Sequence, residues 1–180
     1  MRGPLEAMLD ELAAELGGDV KVFRQHRDVR FSPDKSPYKT RTYGVVWAAP
    51  APLFLQVDRE GLFAGTGRYQ LGSDELERFR AAIAADATGP ALEAAIETAH
   101  AGGVETYGEA LKTAPRGYPR DHPRVVLLRH KALFGGRRLA PGADGIGAAA
   151  ALDHARATLA ACEAMNAWLA EHVGAAPGRS

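Results

Sequence analysis

Between Arg27 and Thr40 the chain runs RDVRFSPDKSPYKT, which combines cations, hydroxyls and two prolines with no apolar run that could build a helix. Pro33 and Pro37 fix their own φ and push Ser32 and Ser36 toward extended backbone, so a shaped loop without a hydrogen-bond ladder is expected. Arg27, Arg30, Lys35 and Lys39, with Tyr38, Ser36 and Thr40 as neutral donors, form the mixture that recognises phosphate or carboxylate. The competing use is structural, with Arg27 and Arg30 paired to Asp28, Asp34 or acidic helix residues. Two acids cannot neutralise the six Lys and Arg between Arg24 and Arg41.

A second cationic stretch runs from Lys112 to Arg138, with eight Lys or Arg against Asp121 alone. Lys112 and Arg116 are the candidate ligand-binding residues there. His122 is a candidate general base, with Asp28, Asp34 or Asp121 as carboxylate partner, if an anionic substrate docks on Arg116, Arg120 and a helix N-terminus. The plainer role for Asp121 is that of an N-cap. The whole chain carries 22 basic and 22 acidic residues, so the two stretches leave the remainder strongly acidic. If they meet in space, a neutral protein gains a focused positive face that attracts anions.

Other chemistries find little support. None of the six histidines pairs with another His, Cys or carboxylate at a ligand spacing, so no metal is expected. Gly65-Thr66-Gly67 before Arg68 resembles a phosphate-binding turn only superficially, since neither GxGxxG nor GxxxxGK[ST] occurs; close backbone approach or a bulge explains it better, and no cofactor is expected. Cys162 lies on an apolar helical stripe and reads as core. Nucleic acid is a weakly supported partner, because Tyr38, Tyr43, Tyr69 and Tyr118 are dispersed along the chain. An anionic small molecule fits at least as well.

These residues need elements to position them. Leu5, Met8, Leu9, Leu12 and Leu16 recur at helical intervals before Gly17-Gly18, which predicts an amphipathic helix over Pro4 to Leu16. Val20 and Val22, then Val29 and Phe31, then 45–47, 53–57 and 62–66 predict strands, and Asp58-Arg59-Glu60-Gly61 predicts a hairpin turn. Ser73 is expected to cap one helix and Pro90 to start another that stops at Gly102-Gly103. Pro123 is expected to start a third running to Gly135-Gly136, and a long final helix to run from near Ile146 toward Val173. The fold class is therefore α+β: an antiparallel meander packed against several helices, as a single domain over 1–173 with a frayed tail over 174–180. Long irregular connections are expected over 32–39 and 106–121, where function often sits.

At 180 residues with 46% hydrophobic and 24% charged side chains, one core suffices. The lone Cys162 forms no internal disulfide, no secretory leader pattern opens the chain, and no apolar stretch is long enough to cross a bilayer. A soluble, cytoplasmic protein without a membrane partner is the expectation.

The run RDVRFSPDKSPYKT, then LFLQVDREGLFAGTGRYQL with ELERFRAAI, then LKTAPRGYPRDHPRVVLLRHKAL, resembles the bacterial and fungal family called domain of unknown function 2461, in order across most of Pro4 to Leu139. The resemblance implies two signatures: Arg27, Asp28, Arg30, Phe31, Asp34, Lys35, Pro37, Tyr38 and Lys39 in one, and Lys112, Pro115, Arg116, Gly117, Tyr118, His122 and Pro123 in the other. It also implies a further helical segment rich in Asn and Trp ahead of Pro4, so either a piece of the domain is missing here or the start at Met1 is misplaced, and a site lined by that segment would be incomplete. It assigns no activity. Three readings stand: binding of a phosphate-bearing or other anionic ligand through the two cation-rich loops, hydrolysis of a phosphorylated substrate, or a non-catalytic structural or interaction module.

Overall fold

The computed structural model describes residues 2–23, 41–142 and 144–175. Helix α1 (Arg2–Leu16) buries Leu5, Leu9 and Leu12 completely and ends where Gly17 turns to φ +66°, as the leucine spacing and the following glycines require. Four strands follow as a meander: β1 (Asp19–Val22), β2 (Thr42–Trp47), β3 (Leu53–Asp58) and β4 (Gly61–Arg68). The expected hairpin between β3 and β4 is present, with Gly61 at φ +118° opposite Asp58. Helices α2 (Ser73–Ala84) and α3 (Gly89–Ala101) come next, then β5 (Glu105–Tyr107), the single turn α4 (Val125–Leu128), β6 (Leu133–Leu139), α5 (Ala148–Ala161) and α6 (Glu163–His172). Among the described residues six strands form one sheet in the order β1-β2-β3-β4-β6-β5, with every neighbouring pair antiparallel. The α+β reading and the antiparallel meander hold, with β6 and β5 added beyond β4.

The helices share one face of this sheet. Alternation decides which residues meet them, because successive side chains of a strand point to opposite sides. Val46, Leu53, Leu55, Leu62 and Ala64 pack with α1 and α5 in one core. Leu133 packs with α2, α3 and α6 in a second, built around Phe79, Leu92, Met165 and Trp168. No helix among the described residues is long and apolar enough to cross a membrane.

Four expectations are corrected. The helix expected from Pro123 to Gly135-Gly136 is one turn, α4, followed by strand β6. The two glycines are not a helix stop: they lie where a central strand meets neighbours closely on both faces. A Cβ on Gly135 would lie 2.6 Å from Cys162 Sγ, and one on Gly136 would lie 2.3 Å from Phe63 Cζ. The irregular stretch expected from Thr106 begins inside edge strand β5. The long C-terminal helix breaks at Cys162 (φ −96°, ψ 2°) into α5 and α6, which serve the two different cores. Finally, Gly72 rather than Ser73 is the N-cap of α2; its N–H donates to the Glu75 carboxylate at 2.8 Å, and that carboxylate also binds Arg68. The strand expected around Val29 and Phe31 lies outside the described residues. Of the expected tail, Gly174 accepts a hydrogen bond from Arg68 at 3.2 Å, and 176–180 lie outside the described residues.

Buried arginines close off backbone ends. Arg124, only 6% exposed, donates from Nε to the Ile83 carbonyl at 2.6 Å and from Nη2 to the Ala84 carbonyl at 3.0 Å and to Asp86 at 2.5 Å. Asp86 itself is 93% exposed. An exposed partner adds little, whereas a buried carbonyl deprived of its donor costs its desolvation. Arg124→Met is therefore expected to lower stability by about 2 to 4 kcal/mol and Asp86→Ala by less than about 1 kcal/mol, as read from urea midpoints. A second prediction concerns pH. Burial pushes both His130 and His154 below the ordinary imidazole range, with Arg129 and Arg137 adding to the effect against backbone hydrogen bonds that oppose it. The unfolded chain then binds more protons than the fold below about pH 6.5, so this contribution is present above that pH and lost as pH falls through the depressed folded values. The melting temperature should drop from pH 7 to pH 5, and the drop should shrink in a His130→Gln/His154→Gln double variant.

Candidate ligand-binding face

Arg27, Arg30, Lys35, Tyr38 and Lys39 lie outside the described residues. The residues flanking them, Phe23 and Arg41, sit at the β1–β2 edge of the sheet, where the Phe23 N–H donates to the Tyr43 carbonyl at 3.0 Å. Lys112 and Arg116 are exposed on the connection leaving β5, at the opposite edge. Five strand spacings, about 24 Å, separate those edges. Most of the second cationic stretch is already engaged. Besides Arg124, Arg129 Nε donates to the Leu111 carbonyl at 2.6 Å, Lys131 pairs with Glu109 at 2.5 Å, Arg137 binds Thr158 Oγ1 at 3.1 Å and the Gly102 carbonyl at 3.2 Å, and Arg138 pairs with Asp58 at 2.7 Å. Three of its eight cations, Arg124, Lys131 and Arg138, thus pair with carboxylates, and Arg129 and Arg137 spend their donors on neutral acceptors of the fold.

His122 is half-buried, and its Nδ1 accepts the Arg124 backbone N–H at 3.0 Å. The imidazole closes the turn before α4, a role expected of Asp121, which is exposed. Among the described residues no carboxylate bonds to His122. Cys162 is buried beneath β6, and burial pushes its thiol up to about 11, so it stays protonated. Among the described residues no three His, Cys, Asp or Glu side chains gather as a metal-binding group.

A different feature stands out on the face away from the helices. The same alternation that sends Val46 and Leu55 inward sends Tyr43, Val45 and Trp47 from β2, Phe54 and Gln56 from β3 and Phe63 from β4 to the other side. Register aligns Tyr43, Gln56, Phe63 and Arg138 in one row across β2, β3, β4 and β6, and Val45, Phe54, Gly65 and Gly136 in the row beside it. The rings organise one another. Phe23 stacks on Tyr43 at 4.4 Å between centroids, Tyr69 stacks on Phe134 at 4.1 Å and meets Phe54 edge-on at 4.6 Å, and Phe134 continues to Tyr107 at 5.5 Å. Phe63 lies over the bare backbone of the directly paired Gly65 and Gly136, where an added Cβ would fall 2.9 Å and 2.3 Å from its ring, the arrangement by which an aromatic ring covers strand glycines.

These rings enclose a groove of about 380 Å³, with Phe23, Tyr43 and Trp47 contributed from the β1–β2 side and Phe54, Phe63 and Tyr69 from the β3–β4 side. Arg41 and Gln56 line it as well and are shared with an adjoining polar cavity of about 440 Å³ that adds Asp58, Arg59, Glu60 and Arg138. Tyr69 is 55% exposed; burial of the rest of its ring raises its phenol pKa, and the positive charge of Arg41 opposes that rise, so it remains a neutral donor. Asp58 is the hub of the polar end. It accepts from Gln56 Nε2 at 2.8 Å, from the Glu60 backbone N–H at 2.9 Å and from Arg138. Burial would raise its carboxyl, but these donors outweigh burial and hold it below the usual carboxylate range. Arg138 also carries its guanidinium 5.9 Å from the Phe63 centroid. Sequence reasoning missed this face because its aromatics come from several strands and are gathered only by strand register; the period-two spacing Tyr43-Val45-Trp47 was the available signal.

The family model described as conserved hypothetical protein (DUF2461) matches residues 2–168. No curated protein and no solved structure matches the chain.

The glycine floor can be tested directly. Gly136→Ala must displace the Phe63 ring or part β4 from β6, and overpacking of this kind costs about 1 to 3 kcal/mol. Adding Phe63→Leu should recover part of that loss, whereas independent sites would simply add. Urea unfolding of the two single variants and the double variant measures the coupling.

Proposed function

The chain belongs to the DUF2461 family, and from that premise we propose that it binds a small anionic ligand carrying a planar ring on the face of the sheet opposite the two helix-packed cores. The observation that carries this reading is the continuity, through Arg41 and Gln56, of an aromatic groove with a polar cavity lined by Arg41, Arg59 and Arg138 together with Asp58 and Glu60. Ligand sites combine such apolar walls with a few placed polar groups. The rings supply stacking surface, and a planar ligand gains from each in offset or edge geometry. Arg41 is the anion anchor. It is exposed at the mouth of the groove, near enough to Tyr69 to act on its phenol, while Arg138 is already shared with Asp58. A guanidinium fork suits phosphate or carboxylate.

A role for Arg27, Arg30, Lys35, Tyr38 and Lys39 as anion ligands is proposed from the sequence alone, in which they lie between Phe23 and Arg41, two residues that line this groove. Lys112 and Arg116, at the other edge, take no part in it. The hydrolase alternative gains no support from His122, whose Nδ1 is occupied by the Arg124 N–H.

The test is titration of the full chain with a panel of phosphates and carboxylates, with and without an aromatic ring, followed by tryptophan fluorescence, compared between the parent and a Trp168→Phe variant that leaves Trp47 as the sole tryptophan, and by melting temperature. Ring-bearing anions should bind, with affinity falling as salt is added. Arg41→Ala and Tyr69→Ala remove exposed side chains, should fold normally, and should each weaken binding about tenfold, the equivalent of 1.4 kcal/mol. Absence of binding by every ring-bearing anion, or variants that bind like the parent, would overturn the proposal.

A further inference from the structure

We infer that the ring is a nitrogen heterocycle presenting an N–H donor, as in a nucleoside 5′-phosphate whose base carries an amino group, and that Gln56 reads that donor. The inference rests on the ring-and-anion reading above and narrows its ligand class. Gln56 stands between two rings, Tyr43 and Phe63, in the row that crosses the groove, and it lines both the aromatic and the polar cavity. The two ends of a glutamine amide are ordinarily hard to tell apart. Here the partner decides. Asp58 is kept ionised by Arg138 and the Glu60 N–H, and an ionised carboxylate only accepts, so the Gln56 atom 2.8 Å from Asp58 Oδ2 is the NH2 group.

The Gln56 carbonyl oxygen therefore points away from Asp58, and no donor among the described residues bonds to it. Asp58 fixes its direction, since rotating the amide would set two oxygens against each other. The result is a half-buried acceptor of locked orientation in a row of rings. Its complement is an N–H on the edge of a planar ring. A ring edge with only acceptors there meets oxygen with a lone pair, and a site built around one hydrogen bond rejects the analogue that lacks it. The anionic end of the same ligand falls toward Arg41, which borders both cavities.

The experiment compares adenosine 5′-monophosphate with purine riboside 5′-monophosphate, which keeps the ring, sugar and phosphate but has no amino group, by calorimetric titration of the full chain. The parent is expected to prefer the amino compound about tenfold. Gln56→Met keeps the side-chain length without the acceptor, so the ratio should fall to about one. Asp58→Asn, which releases the lock on the amide, should also lower the ratio. Equal affinities in the parent, or a tenfold ratio that survives in Gln56→Met, would overturn the inference, and the parent's ratio serves whether or not a variant folds. If neither nucleotide binds but phenyl phosphate does, the N–H inference fails and the ring-and-anion reading survives. If no ring-bearing anion binds, both fall.

Discussion

The pairing of β4 with β6 is the constraint on which the remaining architecture depends. Seven register pairs, from Leu62 with Leu139 to Arg68 with Leu133, join the N-terminal meander to a strand more than sixty residues further along the chain. Its center is nearly free of side chains. Gly65 faces Gly136 and Gly67 faces Phe134, while Gly135 opens the opposite face to Cys162, Val104 and Met165. Glycine weakens an isolated strand, but here its missing Cβ admits α6 on one side and Phe63 on the other. The same pairing brings Arg138 to Asp58 and Phe134 to Tyr69, so the fold and the candidate site share one set of contacts.

The second organising influence is the cost of burying polar backbone. Connections between packed helices leave carbonyls that no ladder satisfies, and this chain answers with arginines. Arg124 serves the end of α2, Arg129 serves Leu111, and Arg78 reaches the Val173 carbonyl at 2.9 Å. A long guanidinium with five donors can bridge two backbone carbonyls at once. A count of charges along the chain therefore overstates what is free to meet a ligand.

The aromatic face lies opposite the two helix-packed cores, with Tyr69 exposed and the other rings half-buried. The rings lower the cost of their exposure by stacking on one another, and Asp58 ties the polar end of the face to the β3–β4 turn through the Glu60 N–H. Geometry and charge are thus set before any ligand arrives, which reduces the ordering that binding would require.

Local patterns alone determined several elements. The leucines of α1, the Gly61 hairpin, the Pro90 start of α3 and the antiparallel meander follow from periodicity and turn chemistry, which act within a few residues. The pattern failed at LFGGRRL and at Cys162, where glycine in a strand imitates a helix stop and an alanine-rich run hides a break, because partners distant in sequence decide both. The candidate site divided in the same way. Lys112, Arg116 and His122 were visible as residue types, but only the tertiary structure showed that Arg124, Arg129 and Arg137 serve backbone carbonyls and that His122 closes a turn. Tyr43 and Tyr69 appeared dispersed, and only strand register gathered them with Phe54, Phe63 and Gln56. Sequence determines side-chain chemistry and local conformation; which chemistries meet depends on long-range pairing, whose energy comes from contacts that no short stretch contains.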